Sequence, residues 1–350
     1  MNPSKPSQSH SSRRFPFVLP LLLVFLCVVN VLKNESGVDT SISLSDAVHV
    51  ITSHLTGNVT GLENSMNATI WFVRLPRTLG AGLIGALLSL SGVAFQSFLQ
   101  NPLADPYMVG VSAGAALGSV LVILLGGAAL LGGFLSPIAA FGFGLLAVFV
   151  VMALAKTEGR INAKTFLLGG VVVGTFLWSL IPLAISLANR DGHLERQSAI
   201  LAQLLGNLNN IGWTQTVLLF PFALVGGILL FRGATELNLL TSGEETAASL
   251  GLEVEGFKRK IIFAGALATA ATVSVAGIIA FVGLVTPHIA RRLVGADHRR
   301  LLPAAMWLGA IVLVGSDLLA RSLPATLEVG VVTSLLGAPV FCFLLRRNQR

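Results

Sequence analysis

Charge is what this chain has least of. Asp, Glu, Lys and Arg make up only 11% of its 350 residues, against about 25% in a soluble globular protein. A surface designed mainly for water is thereby excluded. Hydrophobic residues reach 54%, and the mean hydropathy is +0.81. Apolar runs of roughly 18 residues or more, long enough to cross a bilayer, recur along the whole length. The chain reads as a polytopic membrane protein.

Other shortages narrow the chemistry. The two cysteines, Cys27 and Cys342, both lie in apolar runs. They are too few for a disulfide framework and lack metal-site spacing. No H-E-x-x-H occurs, so the common metalloprotease signature is missing. His288 stands beside Pro287 at a membrane edge with no second His or Cys placed to share a metal, and His298 lies in a basic loop. No lysine follows a glycine, which excludes a Walker A phosphate loop. If ATP drives this protein, another chain must bind it. Of the 16 acidic residues only Asp317 falls well inside a predicted span, with Arg321 one helical turn later on the same face. Proton- and sodium-coupled carriers usually need ionisable groups near the bilayer midplane, so an ion-coupled mechanism is disfavoured. The net charge of +7 is spread between the hydrophobic runs and reports orientation rather than nucleic-acid binding.

Ten spans are predicted, at 15–33, 72–98, 107–126, 133–155, 164–188, 211–231, 258–277, 278–293, 301–321 and 329–346. The eighth is short and interrupted by Pro287, as a half-length helix would be. Arg13 and Arg14 before the run Phe15–Leu32 resemble a signal peptide, but no small-x-small cleavage site follows. The run is read as a retained first helix. The glycosylation-like matches at Asn34, Asn58 and Asn67 are read as chance. Ten spans place both termini on one side. With that side cytoplasmic, seventeen of the 23 Lys and Arg residues fall inside, leaving Lys33, Arg74, Arg77, Arg190, Arg196 and Arg321 outside. The expected layout is one all-α transmembrane domain over 1–350, with a cytoplasmic tail 1–14, an extracytoplasmic segment 34–71 and a cytoplasmic loop 232–258. Glycine-rich stretches such as GAGLIGALLSLSG and VGVSAGAALGS suit close helix packing.

Within the cytoplasmic loop, GEETAASLGLEVEGFKRK is polar in a chain that otherwise avoids charge. Gly243 can turn the chain, and Glu244 and Glu245 favour the positive end of a following helix. Ala247, Ala248 and Leu250 supply a small apolar face, and Gly251 ends the helix. An ordinary solvated loop is the plain alternative.

Several long segments in order resemble one family. RLPRTLGAGLIGALLSLSGVAFQSFLQNPLADPYMVGVSAGA is similar to the second and third spans, with their short link, of the FecCD-type permeases. These are membrane subunits of ABC importers for iron–siderophore complexes, haem and cobalamin. LGLEVEGFKRK, AGIIAFVGLVTPHIARRLVGADHRRLLP and GVVTSLLGAPVFCFLLRR resemble the family's C-terminal half, so the likeness runs from about Arg74 to Arg347. LLGNLNNIGW departs from it, with asparagines where a serine-containing pattern is expected. The resemblance implies a type II ABC importer permease, itself not a catalyst and without a bound cofactor. Its implied partners are a second permease copy, two ATPase subunits that hold ATP and Mg, a substrate-binding protein outside and the surrounding lipid. A heterodimer is the alternative to two identical copies, and no nucleic acid is expected. It implies that loop 232–258 forms two short coupling helices seated in a groove of the ATPase, through Gly243, Glu244, Glu245, Ala247, Leu250 and Gly251. It also implies that Arg74, Arg77 and Arg321 form a basic pocket receiving a carboxylate from each lobe of the binding protein. Arginine's planar fork suits that task. Snorkelling of Arg74 and Arg77 to lipid phosphates, and a simple Asp317 pair for Arg321, are the bland readings. The implied cargo is a metal chelate, an iron complex first. An ion-coupled carrier or channel is the alternative function, and a membrane-embedded enzyme a more distant one.

Overall fold

The computed structural model describes residues 15–33, 42–57, 64–188, 194–323 and 327–348. Among them, helices α1 (Phe15–Leu32), α2 (Leu44–Thr56) and α3 (Asn64–Asn67) lead through a π-helical turn, Ala68–Arg74, into α4 (Leu75–Phe98). A 3-10 turn, Pro106–Val109, precedes α5 (Val111–Leu124), and α6 (Leu135–Ala155) follows. A minimal hairpin, β1 (Lys156–Thr157) with β2 (Arg160–Ile161), turns the chain into α7 (Ala163–Ala188). Then come α8 (Leu194–Leu205), α9 (Trp213–Arg232), α10 (Ala234–Thr241) and α11 (Glu244–Ser249). The chain closes with α12 (Val254–Ala276), α13 (Val282–Val294), α14 (His298–Ser322) and α15 (Val329–Asn348).

Every predicted span holds a helix. Six helices among the described residues are long and apolar enough to cross a membrane, beginning with the continuous Ser65–Phe98. Val18–Leu32, Val111–Leu124 and Val329–Phe343 are shorter apolar helices, and α13 has 13 residues, the half-length helix expected around Pro287. The boundary of the second span differs, because the helix starts before residue 72 and passes through the π turn. Two helices were not expected. One is α8. The other is α2, closed by a capping box in which the Ser43 hydroxyl accepts from the Asp46 amide and the Asp46 carboxylate accepts from the Ser43 amide.

Helix α4 is the centre, packed against α9, α12, α13 and α14. Its 24 residues span about 36 Å at 1.5 Å per residue. They run from an end bearing Arg77 to an end beside α10, called here the arginine end and the loop end. Small residues set the packing. A Cβ on Gly85 would fall on the carbonyl of Gly309 in α14, and one on Gly92 on the carbonyl of Gly283 in α13. The helices therefore meet backbone to backbone. Hydroxyls stitch the same seam: Ser89 donates to the Ala305 carbonyl at 2.7 Å, and Thr286 lies 2.7 Å from Ser89.

Between α12 and α13 the helix is interrupted at 277–281, where Gly277 and Phe281 both take positive φ (+70° and +68°). Backbone groups freed at membrane depth must find partners. Here Ile279 exchanges both of its backbone groups with the Tyr107 hydroxyl, at 3.0 and 3.1 Å. The Asn207 amide donates to the Ala276 carbonyl at 2.8 Å, which ties the LLGNLNNIGW stretch to the break.

Candidate functional site

Two polar sites lie at opposite ends of α4. At the loop end, α10 and α11 form a pair of short helices within 232–258, as the resemblance implies. Gly243, at φ +109°, makes the turn between them, and Gly251, at φ +89°, ends α11. Both are conformations a side chain resists. The apolar face expected from Ala247, Ala248 and Leu250 divides. Ala247 is fully buried, whereas Ala248 is exposed and Leu250 is 63% exposed. Ala248 is turned about 100° from Ala247 around the helix, and Leu250 is the capping residue just beyond its last turn. The outward apolar surface is Ala248 with Leu250.

Glu244 does more than favour a helix end. It accepts from Lys258 at 2.6 Å, and Glu255 accepts from the same ammonium at 2.9 Å. The third donor of Lys258 reaches the Ile161 carbonyl at 3.0 Å, while the Ile161 amide donates to Glu255 at 2.8 Å. Lys258 is 1% exposed, and three acceptors satisfy its buried charge. It joins α11 and α12 to the hairpin that leads into α7. Glu245 is exposed.

On its other flank α10 buries Leu237 and Leu240 in the core, and Asn238 makes the polar contacts. The Asn238 amide donates to Asp297 at 2.8 Å, and its carbonyl oxygen accepts from the His298 backbone at 2.9 Å. Hydrogen bonds from Asn238 and then from the Arg299 amide hold the Asp297 carboxyl below its ordinary pKa. In the link between α4 and α5, Asp105 caps the 3-10 turn by accepting from the Tyr107 amide at 2.8 Å. Burial raises its pKa to about 6, against that hydrogen bond.

At the arginine end the structure brings Arg74, Arg77 and Arg321 together and turns them inward; they are 3%, 6% and 8% exposed. Asp317, fully buried, is the hub. Arg77 donates to it through Nε at 2.9 Å and Nη2 at 2.7 Å, and Arg321 Nε lies 3.3 Å from its other oxygen. Asn30 of α1 donates to Asp317 at 3.3 Å and to the Val314 carbonyl at 3.1 Å, and accepts from Thr78 at 3.0 Å and from Arg321. Arg74 donates to the Val31 carbonyl at 3.0 Å. Two guanidinium groups thus share one carboxylate, and Arg74 is tied beside them through Val31, the neighbour of Asn30. The Asp317 pair expected for Arg321 alone is dominated by Arg77, on another helix. Nearby, burial raises the pKa of Glu328, opposed by the charge of Arg77.

Asn30, Lys258 and His298 were missed as organising residues. An asparagine ending an otherwise apolar run was the signal for Asn30, since polar side chains at membrane depth bond across helices. His288, weighed above for metal binding, is buried, and its Nε2 has no hydrogen-bond partner among the described residues.

The architecture has counterparts among known proteins. The family model described as the FecCD transport family matches residues 21–347. The chain belongs to that family. It is 42% identical over 299 residues to the ABC transporter permease protein YvrB of Bacillus subtilis, covering 84% of this chain and 83% of that one. It is 38% identical over 289 residues to the cobalamin import system permease protein BtuC of Halobacterium salinarum, covering 83% and 76%. A solved structure described as an inward-facing conformation of a metal-chelate type ABC transporter superposes with a TM-score of 0.81 at 30% identity, covering 96% and 99%. The FecCD chain is a multi-pass transport permease of the ABC importer type.

Proposed function

We propose that this permease forms half of the translocation path of an ATP-driven importer, paired with a second copy, and carries a bulky metal chelate. Cobalamin is the first cargo to test, because it is in the name of one relative, with haem and iron–siderophore complexes as chemically similar candidates. The loop end faces the cytoplasm together with both termini, a reading supported by the excess of Lys and Arg on that side. There Gly243, Glu244, Glu245, Ala248, Leu250 and Gly251 meet the ATPase that holds ATP and Mg, with Ala247 locking α11 to the bundle behind them. The observation that carries this reading is the exposed Leu250 on a short helix pair that is itself bonded into the bundle through Lys258 and Asn238.

On the far side Arg74, Arg77 and Arg321 receive carboxylates of a substrate-binding protein, which compete with Asp317 for the guanidinium groups. Three buried arginines at this end, against one buried aspartate, support this role. Asp317 has its charge shared by two arginines, which favours ATP over an ion gradient as the energy source.

The test is uptake of labelled cyanocobalamin and a ferric siderophore into proteoliposomes holding the permease, its ATPase and its binding protein. Uptake of at least one should require ATP on the ATPase side and persist when ion gradients are collapsed. Uptake that stops with an uncoupler at constant ATP would overturn the reading.

A further inference from the structure

Resting on the coupling role of α10 and α11, we propose that Ser97 and His298 are positioning residues that carry the displacement of α10 into α4. They do so through one directional chain of hydrogen bonds, Asp297–Asn238–His298–Ser97. The chemistry sets its direction. Asp297 can only accept, so the group 2.8 Å from it must be the NH2 end of the Asn238 amide. The carbonyl end of Asn238 therefore faces His298, where it lies 2.9 Å from the backbone amide and 2.7 Å from Nδ1. An acceptor opposite Nδ1 places the ring proton there and leaves a lone pair on Nε2. The Ser97 hydroxyl, 2.7 Å from Nε2, donates to it. The Val93 carbonyl, also 2.7 Å from that hydroxyl, is its alternative acceptor within the helix.

The placement makes this chain a link rather than a local cap. Asn238 sits on α10, His298 is the first residue of α14, and Ser97 lies in the last turn of α4. His298 and Ser97 are 3% and 2% exposed, so water does not compete for the bond between them, whereas the Asn238–Asp297 bond lies at the surface. The apolar contacts of Leu237 and Leu240 are non-directional and tolerate sliding. Hydrogen bonds weaken steeply with misalignment, so the chain, beside the bond from Gln100 Nε2 to the Leu240 carbonyl at 3.0 Å, fixes how α10 sits against α4. When α10 shifts, the end of α4 either follows or loses the link.

Hydrogen exchange on the assembled transporter in nanodiscs, with and without ATP, Mg and vanadate, tests this. In the parent, amides of 234–241 and of 92–99 should both change on nucleotide trapping. Two variants cut the link at different points. Ser97→Ala removes the last donor, and His298→Asn keeps a donor for Asn238 but is too short to reach Ser97. In both, the change at 234–241 should persist, and that at 92–99 should fall about five-fold, the factor carried by one net hydrogen bond. An unchanged response at 92–99 overturns the proposal. Equal loss at both segments also overturns it, because the chain would then only build the loop. A parent with no response at either segment refutes the coupling role itself, and this proposal with it.

Discussion

The arginine end and the loop end both concentrate charge, yet they handle it in opposite ways. At the arginine end every charged group of the cluster is inside the bundle, from Asp317 at 0% exposure to Arg321 at 8%. At the loop end, among the described residues, Lys258 is the only charged group buried so deeply, and the Glu244 side chain that pairs with it is 46% exposed. Buried ions gain little net stability when paired, but they are costly to separate. An ion pair with one partner in water contributes about 0–1 kcal/mol. One end is thus locked, and the other can be opened at small cost. A membrane subunit driven from one face needs that asymmetry, since the driven side must yield while the rest keeps its shape.

The largest effect on the fold should come from breaking the locked end. Asp317→Ala leaves the Arg77 guanidinium buried without its carboxylate and should lower stability by about 3–5 kcal/mol. Thermal unfolding in detergent reads this, and a loss below about 1 kcal/mol would mean that the cluster is wet rather than locked. A smaller effect is expected at Asp105, in the link on the other side. Its folded pKa of about 6 lies above the unfolded value, so the folded state binds the extra proton. Stability therefore falls as pH rises from about 4 to 6, by about 1–3 kcal/mol, and stays lower above that window. Asp105→Asn keeps the acceptor for Tyr107 and should flatten that slope; a slope unchanged in the variant would place the titration elsewhere. The smallest effect on the fold belongs to Leu250→Asp, within about 0.5 kcal/mol because the side chain is already exposed. Transport and cargo-stimulated ATP hydrolysis should nonetheless fall together in this variant. If transport stays at the parent level, Leu250 is only a solvated side chain and the contrast between the ends loses its functional half.

Much of this was legible because helices announce themselves locally. Apolar runs located the ten spans, Pro287 the half-length helix, and Gly243 and Gly251 the ends of α11. What stayed hidden depends on partners far apart in the chain. Arg321 follows Asp317 by one turn, so periodicity paired them, but Arg77 on α4 holds the shorter bond. No single-helix pattern shows which faces meet. The inward turn of Ala247 was invisible for the same reason. Helix α2 is a different miss: its Ser43-x-x-Asp46 box was present but was overlooked in a segment of mixed polarity.

The glycine seam along α4 has a consequence for motion. Where Gly85 meets Gly309 and Gly92 meets Gly283, no side chain separates the backbones. Sliding α4 one turn past α14 would set Ala81 or Ser89 where Gly85 now admits the Gly309 carbonyl. The seam therefore resists shear as a keyed shaft does, and α4, α13 and α14 turn as one body. Helix α7 carries no such key: only 22% of its apolar window is buried within the chain, against 78% for the helix that contains α4.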